Sequence, residues 1–235
     1  MSLLRWLRRS SPLLDEALQA RCAALATADV PGTQPLARQR WVVLDLETTG
    51  LDMSRDLVLS IGAVVIEDGA IDLSQQFECT LLREGHQASA STLIHGISPS
   101  AIAAGLPPQE ALLQFMEFLD NSPLLAYHAT FDQRMLTRAL QDSLGYRLRH
   151  PFFDVAELAP LLCPDTNLSR PGLDDWVKHF GLQVQQRHHA SADALVTAEL
   201  ALILFSKAQR QDIDTLGELE QRLAGWRRRQ QASGM

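Results

Sequence analysis

The run Trp41-Val42-Val43-Leu44-Asp45-Leu46-Glu47 constrains this chain more than any other segment. It reads as a short, largely apolar strand that ends in two acids, with turn chemistry after it in Thr-Thr-Gly-Leu-Asp. Residues two apart on a strand share a face, so Asp45 and Glu47 lie side by side while Leu44 and Leu46 point the other way. An acid-X-acid pair is common on solvated strand edges. A buried strand, however, has little reason to carry two mutually repelling carboxylates unless a cation compensates them. Hard oxygen donors of this kind suit magnesium or manganese.

The segments around that strand predict an α/β architecture with a mixed sheet. Residues 57–69 form a β-branched run stopped by Asp68-Gly69, and residues 70–82 come next as its partner, which makes an antiparallel meander of three strands. An amphipathic helix is expected over Pro107 to Leu119. The strand Leu124 to Tyr127 then hands over to a helix ending at Gly145. A short strand in Pro-Phe-Phe-Asp-Val (151–155) comes next, then helical segments Ala156 to Leu162 and Leu173 to Phe180, and a long apolar helix from about Ala190 to Gln209.

Both ends lie outside this pattern. Residues 12–28 suit a helix, with Leu14, Leu18, Cys22 and Leu25 at helical spacing, and 30–35 read as a linker. A further helix is expected over Ile213 to Arg229, closing in Arg227, Arg228 and Arg229, where the helix dipole favours cations. The expected division is an N-terminal helical extension and linker over 1–38, a main domain over 39–207 and a C-terminal helical tail over 208–235.

The chain has 235 residues, 46% apolar and 21% charged, ordinary values for a folded domain. Cys22, Cys79 and Cys163 are far apart and odd in number, which suits buried thiols in a reducing compartment. No apolar run approaches the ~20 residues of a membrane span. The N-terminus lacks a secretory cleavage pattern, so a cytoplasmic location is expected, without membrane insertion. Leu3, Leu4, Trp6 and Leu7 beside Arg5, Arg8 and Arg9 suit a partner-binding or self-packing helix better than a membrane-surface one. The net charge of −7 is unusual for a simple DNA-coating protein, but compatible with an enzyme that meets phosphates through cations held by its carboxylates.

Three further residues carry chemistry. Asp132 lies where a strand hands over to a helix, a frequent functional position in open α/β sheets, and also one where the helix dipole favours an acid. Asp193 shares a helix face with Thr197 and Ala201, toward the sheet, where a carboxylate is costly unless paired or metal-bound. His188, five residues earlier, is expected in the preceding loop.

Val-Val-Leu-Asp-Leu-Glu-Thr-Thr-Gly-Leu (42–51), Tyr-His-Ala-Thr-Phe-Asp (127–132) and His-His-Ala-Ser-Ala-Asp-Ala (188–194), in that order, closely resemble the three motifs of the DEDD exonucleases. The resemblance is to their histidine-bearing branch, which includes the proofreading epsilon subunit of DNA polymerase III. Residues 94–98, 153–155 and 172–182 match as well, so the resemblance covers about residues 40 to 207. It implies a ribonuclease H-like fold, with a mixed five-stranded sheet of antiparallel strands 1–3 plus parallel additions, flanked by helices. It also implies hydrolysis of a nucleic-acid 3′ end with two magnesium or manganese ions. On that pattern Asp45 bridges both ions, Glu47 and Asp193 complete the site for the metal that holds the attacking water, and Asp132 serves the second. His188 is the general base, preferred over His189 by its five-residue separation from Asp193.

The same resemblance places Thr48, Thr49, Gly50 and Leu51 along the terminal nucleotide, with His95 and Phe131 near its base or sugar. His95 also suits a structural loop histidine, and Phe131 a core position. His128 stands where the family usually has asparagine, and would position substrate or pack. Single-stranded DNA is the favoured partner. RNA or oligoribonucleotide trimming, and a non-catalytic module docking on a polymerase or another protein, are the alternatives; the ends carry no recognisable polymerase-binding tail.

Overall fold

The structure, a computed structural model, describes residues 13–28, 33–85, 87, 91–168, 171–184 and 188–233. Five strands form one mixed sheet: β1 (Trp41–Thr48), β2 (Val58–Glu67), β3 (Ala70–Thr80), β4 (Leu124–Ala126) and β5 (Phe152–Asp154), in spatial order β3-β2-β1-β4-β5. The first three are antiparallel; β4 and β5 add in parallel to β1. The β2–β3 turn is made by Asp68 (φ 48°) and Gly69 (φ 73°), the left-handed pair that a two-residue hairpin needs.

Nine helices complete the described chain: α1 (Glu16–Ala24), α2 (Thr92–His95), α3 (Pro99–Ala103), α4 (Pro108–Leu119), α5 (Ala129–Leu144), α6 (Val155–Leu162), α7 (Leu173–Phe180), α8 (Ala190–Gln209) and α9 (Leu216–Ser233). A 3-10 turn spans Leu36–Arg38. They sort into two layers because β1 is apolar on both faces. Trp41 and Val43 join one core with residues of α6, α7, α8 and α9. Val42, Leu44 and Leu46 join the other with α4 and α5. The Trp41 ring meets Phe153 edge-on at 5.3 Å and Phe205 of α8 at 5.1 Å. Asp45 and Glu47, in phase with Trp41 and Val43, therefore project toward the α8 layer.

The ends are tied to this body. Helix α1 is shorter than expected: Asp15 caps it by accepting from Leu18 N, and it stops at Ala24. Arg21 anchors it to α4 through Glu110 and Glu117, both at 2.8 Å. At the other end, the amides of Asp214 and Thr215 donate to Glu218, which shifts α9 to Leu216–Ser233. Leu36 N donates to Asp214 O, and Arg227 pairs with Glu157 of α6. Residues 3–9 and the first part of the expected linker lie outside the described residues. Cys79 and Cys163 are buried free thiols as expected, whereas Cys22 is only half-buried. Among the described residues, no helix is long and apolar enough to cross a membrane.

Candidate active site

The site forms where the parallel strands end. Asp45 and Glu47 close β1, Asp132 comes after β4 and Asp154 closes β5. This is the side of an α/β sheet where the succeeding segments diverge and leave a crevice. The β1–β2 pairing slips between Glu47 and Thr48, a bulge that re-aims the strand just past the second acid.

Carboxylate oxygens of Asp45, Glu47 and Asp193 all lie within 4.8 Å of one another. A trio of this kind fits a divalent cation: all donors are hard oxygens, Asp45 and Glu47 are half-buried, and Asp193 is only 5% exposed. Helix α8 comes this close because of Gly62, the register partner of Asp45. A Cβ at Gly62 would lie 2.2 Å from Ala190 C and Ser191 N, so the first turn of α8 rests directly on the bare backbone of β2. A glycine inside a β-branched strand signals such an approach, and the strand pattern of residues 57–69 carried that signal unread.

Asp132 stands apart from the trio. It arrives from the opposite layer, 4% exposed, accepting a hydrogen bond from the backbone of Leu46 and sensing the charges of Asp154 and Glu47. Burial, above all, pushes its carboxyl well above the usual carboxylate range, with the charge of Asp154 adding to it. In the sequence Asp154 stands out only as part of the matching segment 153–155. It braces the start of α5: its Oδ1 accepts from His128 N at 2.9 Å and Ala156 N at 3.0 Å, and the Ala129 amide also bonds to the carboxylate. His128 is exposed and left-handed (φ 64°), which is why it needs this brace. Burial raises the Asp154 carboxyl as well.

The two candidate bases differ in engagement. His188 is exposed in left-handed backbone (φ 59°), and its N–H donates to Asp193 Oδ2 at 3.0 Å. His189 caps α8, with its ring nitrogen 3.4 Å from Glu78 Oε1. Glu78 also accepts from Ser191 Oγ at 2.6 Å, so His189 belongs to a sheet-edge contact.

The loop 49–57 is held by its own side chains. Thr48 Oγ1 donates to Gly50 O, and Thr49 Oγ1 donates to Asp56 Oδ1 while accepting from Leu57 N. A Cβ at Gly50 would lie 2.6 Å from Asp56 Oδ2, so the glycine leaves room for the carboxylate that ties the loop. Leu51, by contrast, is 83% exposed. His95 is buried, its Nδ1 accepting from Ile97 N at 3.0 Å, and Phe131 packs against the α4–α5 core.

Comparison with known proteins places this geometry. Residues 42–201 match the exonuclease family profile (RNase_T). DNA polymerase III of the PolC type from Clostridium perfringens is 32% identical over 182 residues, covering 76% of this chain and 12% of the relative. The PolC-type enzyme of Thermotoga petrophila is 35% identical over 181 residues, 77% of this chain and 13% of the relative. The chain thus spans about an eighth of the length of these relatives. Among solved structures, Escherichia coli exonuclease I in complex with a dT13 oligonucleotide superposes with a TM-score of 0.62 at 16% identity, over 74% of this chain and 42% of the other. Exonuclease X in complex with 5′ overhanging duplex DNA gives 0.56 at 19%, over 72% and 93%. These two likenesses establish a shared fold, the ribonuclease H-like mixed sheet. The profile match spans most of the chain and includes both the acidic strand end and Asp193, and on that ground the chain belongs to the exonuclease family.

Proposed function

We propose that the chain is a metal-dependent 3′-to-5′ exonuclease acting on single-stranded DNA ends and releasing nucleoside monophosphates. The observation that carries this reading is the carboxylate trio within 4.8 Å, with His188 tied to the same Asp193. Asp45, Glu47 and Asp193 would hold one divalent cation, and Asp132 would join Asp45 at a second, magnesium or manganese in both cases. Bound there, the cations supply positive charge against the phosphodiester and against the oxygens that gain charge in the reaction.

The protein's own residues do the rest. His188 takes the proton of the attacking water; its exposed position leaves the imidazole room to swing toward the phosphate. The water oxygen bonds to phosphorus, the bond to the 3′-oxygen breaks, and that oxygen is protonated from solvent. Asp193 orients the base through the His188 amide. Leu51 offers an apolar surface to the terminal base, with Thr48, Thr49, Gly50, His95 and His128 framing the nucleotide and Phe131 supporting them from the core. Residues 39–207 would form the catalytic domain, with 1–38 and 208–235 as docked ends. DNA is favoured over RNA because the relatives are DNA polymerases; a polymerase or another protein as partner fits the same kinship.

The test is stepwise shortening of 5′-labelled single-stranded DNA and matched RNA with magnesium or manganese. Loss of 3′ nucleotides from DNA ahead of RNA is expected. Asp45→Ala should abolish release, and His188→Ala should lower it by about 10²–10⁴-fold. Unchanged release by Asp45→Ala would overturn the assignment.

A further inference from the structure

In a chain of net charge −7, three arginines border the loop that leaves β1 after its two acids. Arg83 donates through Nε and Nη2 to Val58 O, at 3.0 and 2.7 Å, where β2 begins. Arg134 and Arg138 are one turn apart on α5, with Nη atoms against the sulfurs of Met53 (4.0 Å) and Met135 (3.7 Å). Arg83 and Arg138 are near enough for one charge to disfavour the other, and Arg138 acts electrostatically on Asp52. The three therefore border the loop 49–57, whose Thr49 N–H closes onto Leu57 O at 2.9 Å.

The acids of that loop are engaged within it, and the exposed Asp52 also pairs with Arg55 at 3.9 Å. Asp52 accepts from Ser54 N and Oγ, and Asp56 accepts from Thr49 Oγ1 and Asp52 N. Among the described residues, no carboxylate lies within 4.0 Å of the guanidinium of Arg83, Arg134 or Arg138. Among the described residues the hydrogen bonds of the three guanidinium groups go to carbonyl and thioether acceptors, and Arg83 and Arg138 repel one another. An anionic ligand would relieve that repulsion. Arg134 is exposed, and the other two are half-buried. Taking Asp132 as origin, Arg134 and Arg138 lie about 3 and 9 Å further along α5, rotated about 200° and 240° from it. Both thus sit on a different face of α5 from Asp132, beside the loop, whose Leu51 and Leu57 are exposed.

We propose that Arg83, Arg134 and Arg138 form a phosphate track that holds the sugar-phosphate backbone of the substrate strand upstream of the nucleotide being released. The inference rests on the nucleic-acid reading given above. Guanidinium groups suit it, because each presents a fork of donors to phosphate oxygens. The track contributes grip on the strand without touching the bond that breaks.

The experiment compares the full chain with Arg134→Glu and the double variant Arg134→Glu/Arg138→Glu on two substrates. One is a 5′-labelled oligothymidylate. The other is the p-nitrophenyl ester of thymidine 5′-monophosphate, which reaches the carboxylates but not the track. For the double variant the KM of the oligomer should rise at least about tenfold, kcat should hold, and the slope of log KM against log salt should fall by about 1.4, two phosphate contacts at ~0.7 each. Hydrolysis of the ester should be unchanged in both variants. Oligomer KM and salt slope equal to wild type, or equal losses on ester and oligomer in the exposed-site Arg134→Glu variant, would overturn the track. A wild type that hydrolyses neither substrate would overturn the nuclease reading itself, and the track with it.

Discussion

Helices α5 and α8 each deliver one carboxylate to the end of β1, from opposite layers of the sheet, and they are held there by different means. α5 starts on a left-handed histidine whose amide, with that of Ala129, donates to Asp154. α8 starts where the absence of a side chain at Gly62 lets its backbone touch β2. One is a hydrogen-bonded brace, in which another acceptor or a water can replace the lost group. The other is a steric seat, in which an intruding atom has nowhere to go. The contrast extends to the acids: Asp193 joins the trio, while Asp132 is buried apart beside the Leu46 amide with its carboxyl raised.

The seat should break hardest. Gly62→Val places a side chain 2.2 Å from the backbone of Ala190 and Ser191, so α8 must lift. We expect about 1–3 kcal/mol or more of destabilisation, read from the urea midpoint. Turnover should fall by about 10²-fold or more, since displacements near 1 Å suffice for that. Full turnover in a folded Gly62→Val protein would show that the close approach does not set the position of Asp193.

The brace should yield by degrees. Asp154→Ala removes the acceptor for the amides of His128, Ala129 and Ala156, and about 1–3 kcal/mol should be lost. Asp154→Asn keeps an oxygen there and should lose clearly less, in both melting temperature and turnover. Equal losses for the two variants would mean that the charge, rather than the acceptor, holds α5.

Asp132 sharpens the comparison through pH. Its carboxyl is raised in the folded protein, so folding favours the protonated form. Its contribution is therefore best below the ordinary carboxylate pKa of about 3.9 and is lost as pH rises through the raised value. In EDTA at neutral pH, Asp132→Asn should accordingly be the more stable protein, by on the order of 1 kcal/mol, with the difference vanishing toward pH 3. Magnesium should stabilise the wild type more than the variant, which should be inactive. A variant less stable than wild type in EDTA at pH 7 would contradict the burial argument.

The smallest effect belongs to a contact outside both devices. Arg21→Ala frees α1 from Glu110 and Glu117, but these side chains are 31–42% exposed, so less than about 1 kcal/mol should be lost. Turnover should not change; a large drop would show that α1 supports the site after all.

The sequence alone determined the features that short-range geometry controls. The period-two placement of Asp45 and Glu47 on an apolar strand, the Asp68-Gly69 turn, the αL stop at Gly145 and the apolar face of α8 were all readable, because strand pleat, turn dihedrals and helix period act within a few residues. With the strand–helix order they specified the mixed five-stranded sheet. The four acids and His188 were candidates by residue type and by the order and spacing on which the family resemblance rests. Only the tertiary structure separated Asp132 from the trio, turned His189 toward Glu78, gave Gly50 a packing partner in Asp56, and exposed Gly62 and Asp154 as the supports of α8 and α5. Each of these depends on which distant segments meet at the end of β1, and that is decided when both sides of one strand are packed at once, not by the local pattern of any segment.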